Sequence, residues 1–195
     1  QPGASHRYFE ANETIRNIST FELNSQVSDK KRLAVKQSFG VFDRTIDIPS
    51  YSFAGVDYNA YTDVSYITNG ASHDLVLGAN FIYNAFREKA AISQPRDNTL
   101  KTGGLYAQHT WDAARLKVET GLRIDIADHG NSLYSKTEVF ALPRVSVLVN
   151  YNSKWSSRIG AGMGYKTPTL FTEETETIQY RNVQQLDNVR SEKSY

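Results

Sequence analysis

The stretch that decides the fold is LKVETGLRIDI, residues 116–126. Its β-formers alternate one for one with polar or small residues: Leu116, Val118, Thr120, Leu122, Ile124 and Ile126 against Lys117, Glu119, Gly121, Arg123 and Asp125. Successive side chains of a strand point to opposite faces of a sheet, whereas a helical face repeats every 3.6 residues. The stretch therefore predicts a strand with one apolar and one charged face.

The same alternation recurs along the chain. In residues 159–166 it places Ile159, Ala161, Met163 and Tyr165 on one face, opposite Gly160, Gly162 and Gly164. Clear alternation also covers residues 56–66, 75–83 and 145–151, and weaker strands are expected at 15–27, 33–42 and 105–111. No segment shows a sustained helical period. The sequence predicts an all-β, antiparallel chain of about eight strands.

The connections between these strands are predicted to alternate in length. Short polar turns lie at residues 28–32, 69–73, 112–115 and 152–154, and longer connections are expected near 43–53, 87–101, 127–139 and 167–189. Trp111, Tyr151 and Trp155 flank the short turns, whereas Phe81, Tyr83 and Tyr165 lie towards the long connections. This pattern is typical of an up-and-down transmembrane β-barrel with an aromatic residue belt at each interface. Alternation alone is equally compatible with a soluble β-sandwich that binds a ligand or acts in adhesion.

Composition excludes some classes of function. A net charge of +1 argues against a dedicated nucleic-acid binder, and the absence of cysteine excludes disulfides, thiolate nucleophiles and sulfur-based zinc sites. No apolar run reaches the roughly 18 residues of a membrane helix, and the first residues do not resemble a signal peptide. The mean hydropathy of −0.51 is compatible with a soluble protein or with a membrane barrel, in which only alternate residues meet lipid.

The segment RIGAGMGYKTPTLF, residues 158–171, resembles the late barrel of TonB-dependent outer-membrane receptors. In that family a strand ending in Gly-Tyr-Arg/Lys-x-Pro-Thr enters a long extracellular loop and returns through Asn-Leu-Lys-Pro-Glu-x-Ser. The return here reads NVRSEKS, residues 188–194, and departs from the pattern at Ser191, where the family has proline. The matching motif residues are Gly164, Tyr165, Lys166, Pro168, Glu192 and Ser194.

The resemblance implies that residues 1–195 are part of a receptor barrel of roughly 22 strands with a plugged lumen. It implies an outer-membrane location, an extracellular small-molecule ligand and energy-coupled uptake of a scarce nutrient, such as an iron chelate, cobalamin or a glycan. The plug domain and the periplasmic energy-coupling protein would be partners in the parent protein, because neither a plug nor a coupling motif is recognisable here. We expect a fragment, cut at both ends.

Enzymatic chemistry is not expected, and no cofactor is predicted. The sequence has no nucleophile elbow, phosphate-binding loop or dinucleotide fingerprint. The carboxylates of Glu119 and Asp125 would be about 20 Å apart along one strand face, too far for a glycosidase pair. They read better as charges of a polar lumen, balanced by Lys117 and Arg123.

No metal site is predicted, because the four histidines lack ligand spacing. An acidic run at Glu173, Glu174 and Glu176 lacks the spacing of a calcium loop. Ligand contact, or alternatively packing within the loops, is expected of aromatic and cationic loop residues: Tyr51, Phe53, Arg87, Arg96, Tyr134, Phe171 and Tyr180.

Overall fold

The computed structural model describes residues 9–49, 51–89, 96–169, 183–184 and 186–195. Its ten strands are β1 (Ala11–Ser28), β2 (Lys31–Ile48), β3 (Tyr51–Asn69), β4 (His73–Glu88), β5 (Asn98–Ala113), β6 (Leu116–Gly130), β7 (Ser135–Asn150), β8 (Ser156–Gly162), β9 (Gly164–Lys166) and β10 (Glu192–Ser194). Strands β1 to β8 form one antiparallel sheet in which each strand pairs with its neighbour in sequence, while β9 and β10 pair separately. This is the predicted all-β, up-and-down arrangement. Nowhere in the described ranges is there a helix of sufficient length and apolarity to cross a membrane.

An apolar belt runs across one face of the sheet. On β4 the residues of this face are apolar from Leu75 to Ala85, and on β7 they are apolar from Val139 to Val149. Each run covers 11 residues, and 11 residues in a strand tilted by about 45° span about 25 Å, the height of the apolar band of a membrane barrel. Arg87 and Thr137 lie on the same face just beyond the belt.

The faces of the sheet are inverted relative to a soluble protein. Leu105, Ile124 and Phe39 on the belt face are 67%, 45% and 55% exposed, whereas Asp125 on the opposite face is 2% exposed. Soluble proteins seldom expose so large a contiguous apolar surface. The sandwich alternative requires a second sheet over the apolar face, and the described residues provide none. We refer to the polar face as the lumenal face.

The turns at one end of the sheet are short, as predicted. They comprise residues 29–30, 70–72, 114–115 and 151–155. Trp111, Tyr151 and Trp155 lie at this end and are exposed. We call it the short-turn end, and the opposite end the loop end.

At the loop end two of the predicted long connections are wrong. Strands β2 and β3 are separated only by residues 49–50, and β6 and β7 only by residues 131–134. The pairing of β2 with β3 continues beyond the belt. Ile46 lies opposite Phe53 there, and both side chains are buried against Phe86. Long connections do occur at residues 89–97 and 167–191. Seven strands contain 15–19 residues, more than the roughly 9–11 that span a bilayer.

The face assigned to Tyr165 from the sequence is also wrong. Strand pairing with β7 ends at Gly162, and the Met163 amide donates to the Pro143 carbonyl at 3.0 Å before β9 begins. One irregular residue reverses the alternation that follows it. Tyr165 therefore points to the lumenal face, away from the side of Ile159.

We predict that Leu122→Arg destabilises the membrane-inserted chain by about 2–4 kcal/mol, because Leu122 lies near the middle of the belt. Thr137→Arg is the matched control, since Thr137 lies beyond the belt and opposite Asp128, and it should change stability by about 0–1 kcal/mol. The measurement is urea unfolding in lipid vesicles. Equal effects of the two substitutions would contradict a lipid-facing belt.

Candidate functional site

The lumenal face carries a network of polar side chains across β3 to β6 and β9. The wall network consists of Asp63, Asn80, Tyr106, Arg123, Asp125 and Tyr165. The strand register brings its members together, because Asp63 lies opposite Asn80 and Gly104 lies opposite both Asn80 and Asp125.

Arg123 is the centre of the wall network. Its Nε lies 2.7 Å and 2.9 Å from the two carboxylate oxygens of Asp125, and its Nη2 donates to Asn80 Oδ1 at 2.9 Å. Asp125 is nearly fully buried, so an unpaired carboxylate here would be strongly destabilising. The predicted balance of Asp125 by Arg123 is confirmed.

Two tyrosines close the wall network at its sides. The Tyr106 hydroxyl donates to Asp63 at 2.9 Å, and the Tyr165 hydroxyl donates to Asp125 at 2.9 Å. The Tyr165 ring also stacks on Phe140, with the ring centroids 3.8 Å apart. The family motif thus places an aromatic ring and a hydroxyl group within the lumenal network, a position hidden from the sequence by the irregularity at Met163.

Glycines leave the space that this network occupies. A Cβ added to Gly78 would collide with the Tyr106 ring, and one added to Gly104 would lie 2.5 Å from Asn80 Oδ1 and 2.8 Å from Arg123 Nη2. A strand glycine often marks such a close approach. Gly160 and Gly162 of β8 are exposed.

A smaller polar group surrounds Glu119 nearer the short-turn end. Its carboxylate accepts from Gln108 at 3.0 Å and lies 3.5 Å from Arg144. Lys117, expected to balance these wall charges, pairs instead with Asp112 at 3.2 Å.

A cavity of about 370 Å³ opens on the lumenal face towards the loop end. Phe42, Phe53 and Phe86 supply aromatic surface, while Arg44 and Asp57 supply charge. Pro168 and Thr169, which follow β9, also line it. The cavity combines apolar surface with polar groups, and this combination suits a small organic ligand.

Three of the sequence-predicted ligand residues, Tyr51, Phe53 and Arg96, lie together at this cavity. Arg96 is buried, forms an ion pair with Glu88 and donates to the Tyr51 hydroxyl at 3.0 Å. The hydrogen bond to Glu88 raises the pKa of Arg96, against the effect of burial. Phe53 lies beneath the Arg96 guanidinium at 5.7 Å. Tyr51 begins β3 instead of lying in a loop.

The remaining candidates do not join this group. Arg87 lies within β4, where its guanidinium donates to the Asn98 carbonyl at 2.9 Å and to Thr99 Oγ1 at 2.9 Å. Tyr134 contacts His129 edge-on, with ring centroids 5.9 Å apart. Phe171 and Tyr180 lie outside the described residues, as do Glu173, Glu174 and Glu176. Ligand contact by these residues stays a prediction.

The chain that returns from the long 167–191 connection is held against the lumenal face. We call residues 186–191 the return segment. Asn131 Nδ2 donates to the Leu186 carbonyl at 2.7 Å, and Lys136 Nζ donates to the Val189 carbonyl at 3.3 Å.

Glu138 holds the end of the return segment. Its carboxylate accepts from the Ser191 amide at 3.1 Å and hydroxyl at 2.6 Å, and lies 3.0 Å from His129 Nε2. Burial acts to raise the pKa of Glu138, but the hydrogen bonds from Ser191 and His129 outweigh it and lower the pKa to about 2. Sequence reasoning missed this contact because Glu138 and Ser191 are 53 residues apart.

The two halves of the family motif meet as paired strands. Lys166 lies opposite Glu192, Tyr165 opposite Lys193 and Gly164 opposite Ser194. Glu192 is exposed, and within the described ranges its carboxylate makes no ion pair. This position fits a solvated carboxylate at the start of a strand.

The described residues contain no cluster of three or more histidine, aspartate or glutamate side chains suited to a metal ion.

An antiparallel sheet with exposed apolar side chains on one face and a buried polar network on the other is the arrangement expected of the wall of a transmembrane β-barrel. A family model for the TonB dependent receptor-like β-barrel matches residues 2–194. The chain therefore belongs to this family of outer-membrane proteins, whose receptors generally work with a plug and with TonB.

Comparison with solved structures gives the same fold. The copper transporter OprC matches with a TM-score of 0.66 and 16% sequence identity. The match covers 82% of this chain and 32% of OprC, so the chain spans about a third of that transporter's length. A comparison with curated proteins found no match.

We predict that Gly104→Ala destabilises the chain by about 1–3 kcal/mol, because the added methyl group would displace Asp125 and Arg123. Gly103→Ala is the matched control on the adjacent residue, where an added Cβ has nothing within 4 Å. Urea unfolding midpoints of the two variants should differ, and equal midpoints would show that the wall network tolerates the methyl group.

We also predict that acid loosens the return segment. The lowered pKa of Glu138 stabilises the folded state fully above about pH 4.5, and this contribution is lost as the pH falls towards 2. Hydrogen exchange at residues 186–191 should therefore accelerate across this range. Glu138→Gln should accelerate exchange at pH 6 and weaken its acid dependence, since a hydrogen bond to a charged group contributes about 1.5–3 kcal/mol. Unchanged exchange in this variant would contradict the role of Glu138.

Proposed function

We propose that this chain forms part of the wall of an outer-membrane receptor that takes up a scarce nutrient by energy-coupled transport, and that it has no catalytic role. The observation that carries the proposal is the inverted sidedness of the sheet. An exposed apolar belt fits lipid, and a charged network on the other face fits a polar lumen. The family match supports the same role.

The lumenal cavity is the place where we propose ligand contact. It lies at the loop end, where a ligand from outside would enter, and it combines three phenylalanine rings with Arg44 and Asp57. A guanidinium and aromatic faces suit an organic ligand with anionic or aromatic groups. This favours an organic nutrient or an organic chelate of a metal ion, in line with the iron chelate, cobalamin and glycan classes implied by the resemblance.

We further propose that the parent protein contains a plug against this lumenal face and that a periplasmic TonB-type protein supplies the energy. The wall network presents hydroxyl, amide and ionic groups at the centre of the lumenal side. Such groups can form hydrogen bonds with a polar plug surface, whereas an apolar lining could not.

Membrane insertion is testable with the chain itself. Reconstituted into vesicles of lipids brominated near the headgroup, Trp111 should lose much of its fluorescence, because it lies on the belt face at the short-turn end. The Trp155→Phe variant isolates this signal, since the chain has two tryptophans. Full emission from Trp111 would place the belt outside the lipid.

Uptake is testable in cells that express the whole receptor under nutrient limitation. Phe42→Ala should weaken the apparent affinity of uptake for the receptor's ligand at least about tenfold, because the cavity loses an aromatic surface. Phe39→Ala, on the belt face of the same strand, is the matched control and should leave uptake unchanged. Growth on single iron, copper, cobalamin and glycan sources would identify the ligand class. Equal uptake by both variants would remove the cavity from the transport path.

A further inference from the structure

Two histidines meet on the belt face at the short-turn end, away from the lumenal cavity. His73 begins β4, and His109 lies in β5 one step further into the belt. The register places His73 opposite Trp111 and His109 opposite Leu75, so the imidazoles are diagonal neighbours on the same face. Both side chains are exposed.

The two rings are close enough to share one proton or one metal ion. His73 Nδ1 lies 3.1 Å from His109 Nε2, and the rings are inclined by 17° with centroids 5.3 Å apart. In the absence of a metal ion, one nitrogen must donate its proton while the other accepts it. A neutral imidazole nitrogen is the form that ligates metals, so both nitrogens of this contact are candidate ligand atoms.

The nitrogen separation also fits coordination. Imidazole nitrogens bind zinc or similar ions at about 2.0–2.1 Å. Two nitrogens 3.1 Å apart at such bond lengths subtend an angle of about 95–100° at the ion, between the square-planar and tetrahedral values. Small rotations of the exposed rings would aim both lone pairs at a common point.

From this geometry we propose that His73 and His109 form a surface site for a divalent transition-metal ion, with Cu²⁺ bound most tightly. Copper stands at the top of the affinity order for nitrogen ligands. The ion binds His73 through Nδ1 and His109 through Nε2. When both imidazoles are neutral, the proton of the donating ring moves to the other nitrogen of that ring. Metal binding then releases no net proton.

The remaining ligands come from outside the chain. Among the described residues no carboxylate forms an ion pair with either imidazole. The pair lies at the edge of the apolar belt, beside Trp111, at the level where lipid headgroups meet the wall. Water and a headgroup phosphate oxygen would complete the coordination and balance the charge of the ion. The proposal is independent of the transport function, because it concerns the lipid side of the wall.

Copper binding to the full chain in detergent tests the site. Titration of CuCl₂ into the Trp155→Phe variant should quench the fluorescence of Trp111, which lies beside the pair, with one ion bound per chain. Electron paramagnetic resonance of the complex should show coupling to two nitrogens. Repeating the titration in vesicles with and without anionic phospholipid separates water from headgroup phosphate as the third ligand, since only the latter raises affinity.

His73→Gln and His109→Gln should each weaken copper binding at least about tenfold, or about 1.4 kcal/mol, and remove one nitrogen coupling. Thr120→Val is the control, because Thr120 lies opposite His109 on the same face and carries no ligand atom of the site. Binding at wild-type affinity by either glutamine variant would overturn the proposal. If a variant fails to fold by circular dichroism, the wild-type spectrum decides, since fewer than two coupled nitrogens would also overturn it.

Discussion

The constraint on which the structure depends is that a lipid bilayer offers no hydrogen-bond partner to the peptide backbone. Eight strands meet it by pairing each with the next, in an unbroken antiparallel order. Once that pairing is fixed, the side chains of every strand are divided between lipid and lumen by alternation alone. The exposed belt and the buried wall network are therefore two consequences of a single arrangement. A displacement of one strand by one residue would place Arg123 and Asp125 in the lipid and Leu122 in the lumen.

Alternation is also why so much of this fold could be predicted from the sequence. It is a local signal, and residues 116–126 carry it as strongly in isolation as they do in the sheet. The sequence predictions were wrong where the alternation of neighbouring residues did not determine the structure. Residues 43–53 contain polar residues and Pro49, which suggest a loop, yet Ile46 and Phe53 pack on Phe86 across three strands and extend the hairpin. The face of Tyr165 was misjudged because one irregular residue, Met163, carries no distinctive signal of its own.

The sequence was sufficient to predict a charged lumenal face, but not which residues from distant parts of the chain meet there. The pairing of Arg123 with Asp125 lies within one strand, so spacing was sufficient to predict it. The cavity, the Arg96–Glu88 ion pair and the contacts of Glu138 with the return segment join residues from separate parts of the chain. Only the register and the course of the long connection bring them together. Candidate ligand residues chosen for loop position and residue type therefore separated into unrelated surroundings, with Arg87 on the belt face and Arg96 buried beside Tyr51.

The short-turn end and the loop end of the wall differ in their capacity for structural rearrangement. At the short-turn end each hairpin closes within five residues or fewer, and its exposed aromatic residues fit an interface anchor. At the loop end the strands extend past the belt, and the return segment is held by side-chain contacts from Asn131, Lys136 and Glu138. Contacts of this kind contribute about 1–3 kcal/mol each, far less than a ladder of backbone hydrogen bonds spanning a strand. The loop end, where we propose ligand contact, is thus the part of the wall that can rearrange while the belt keeps its register.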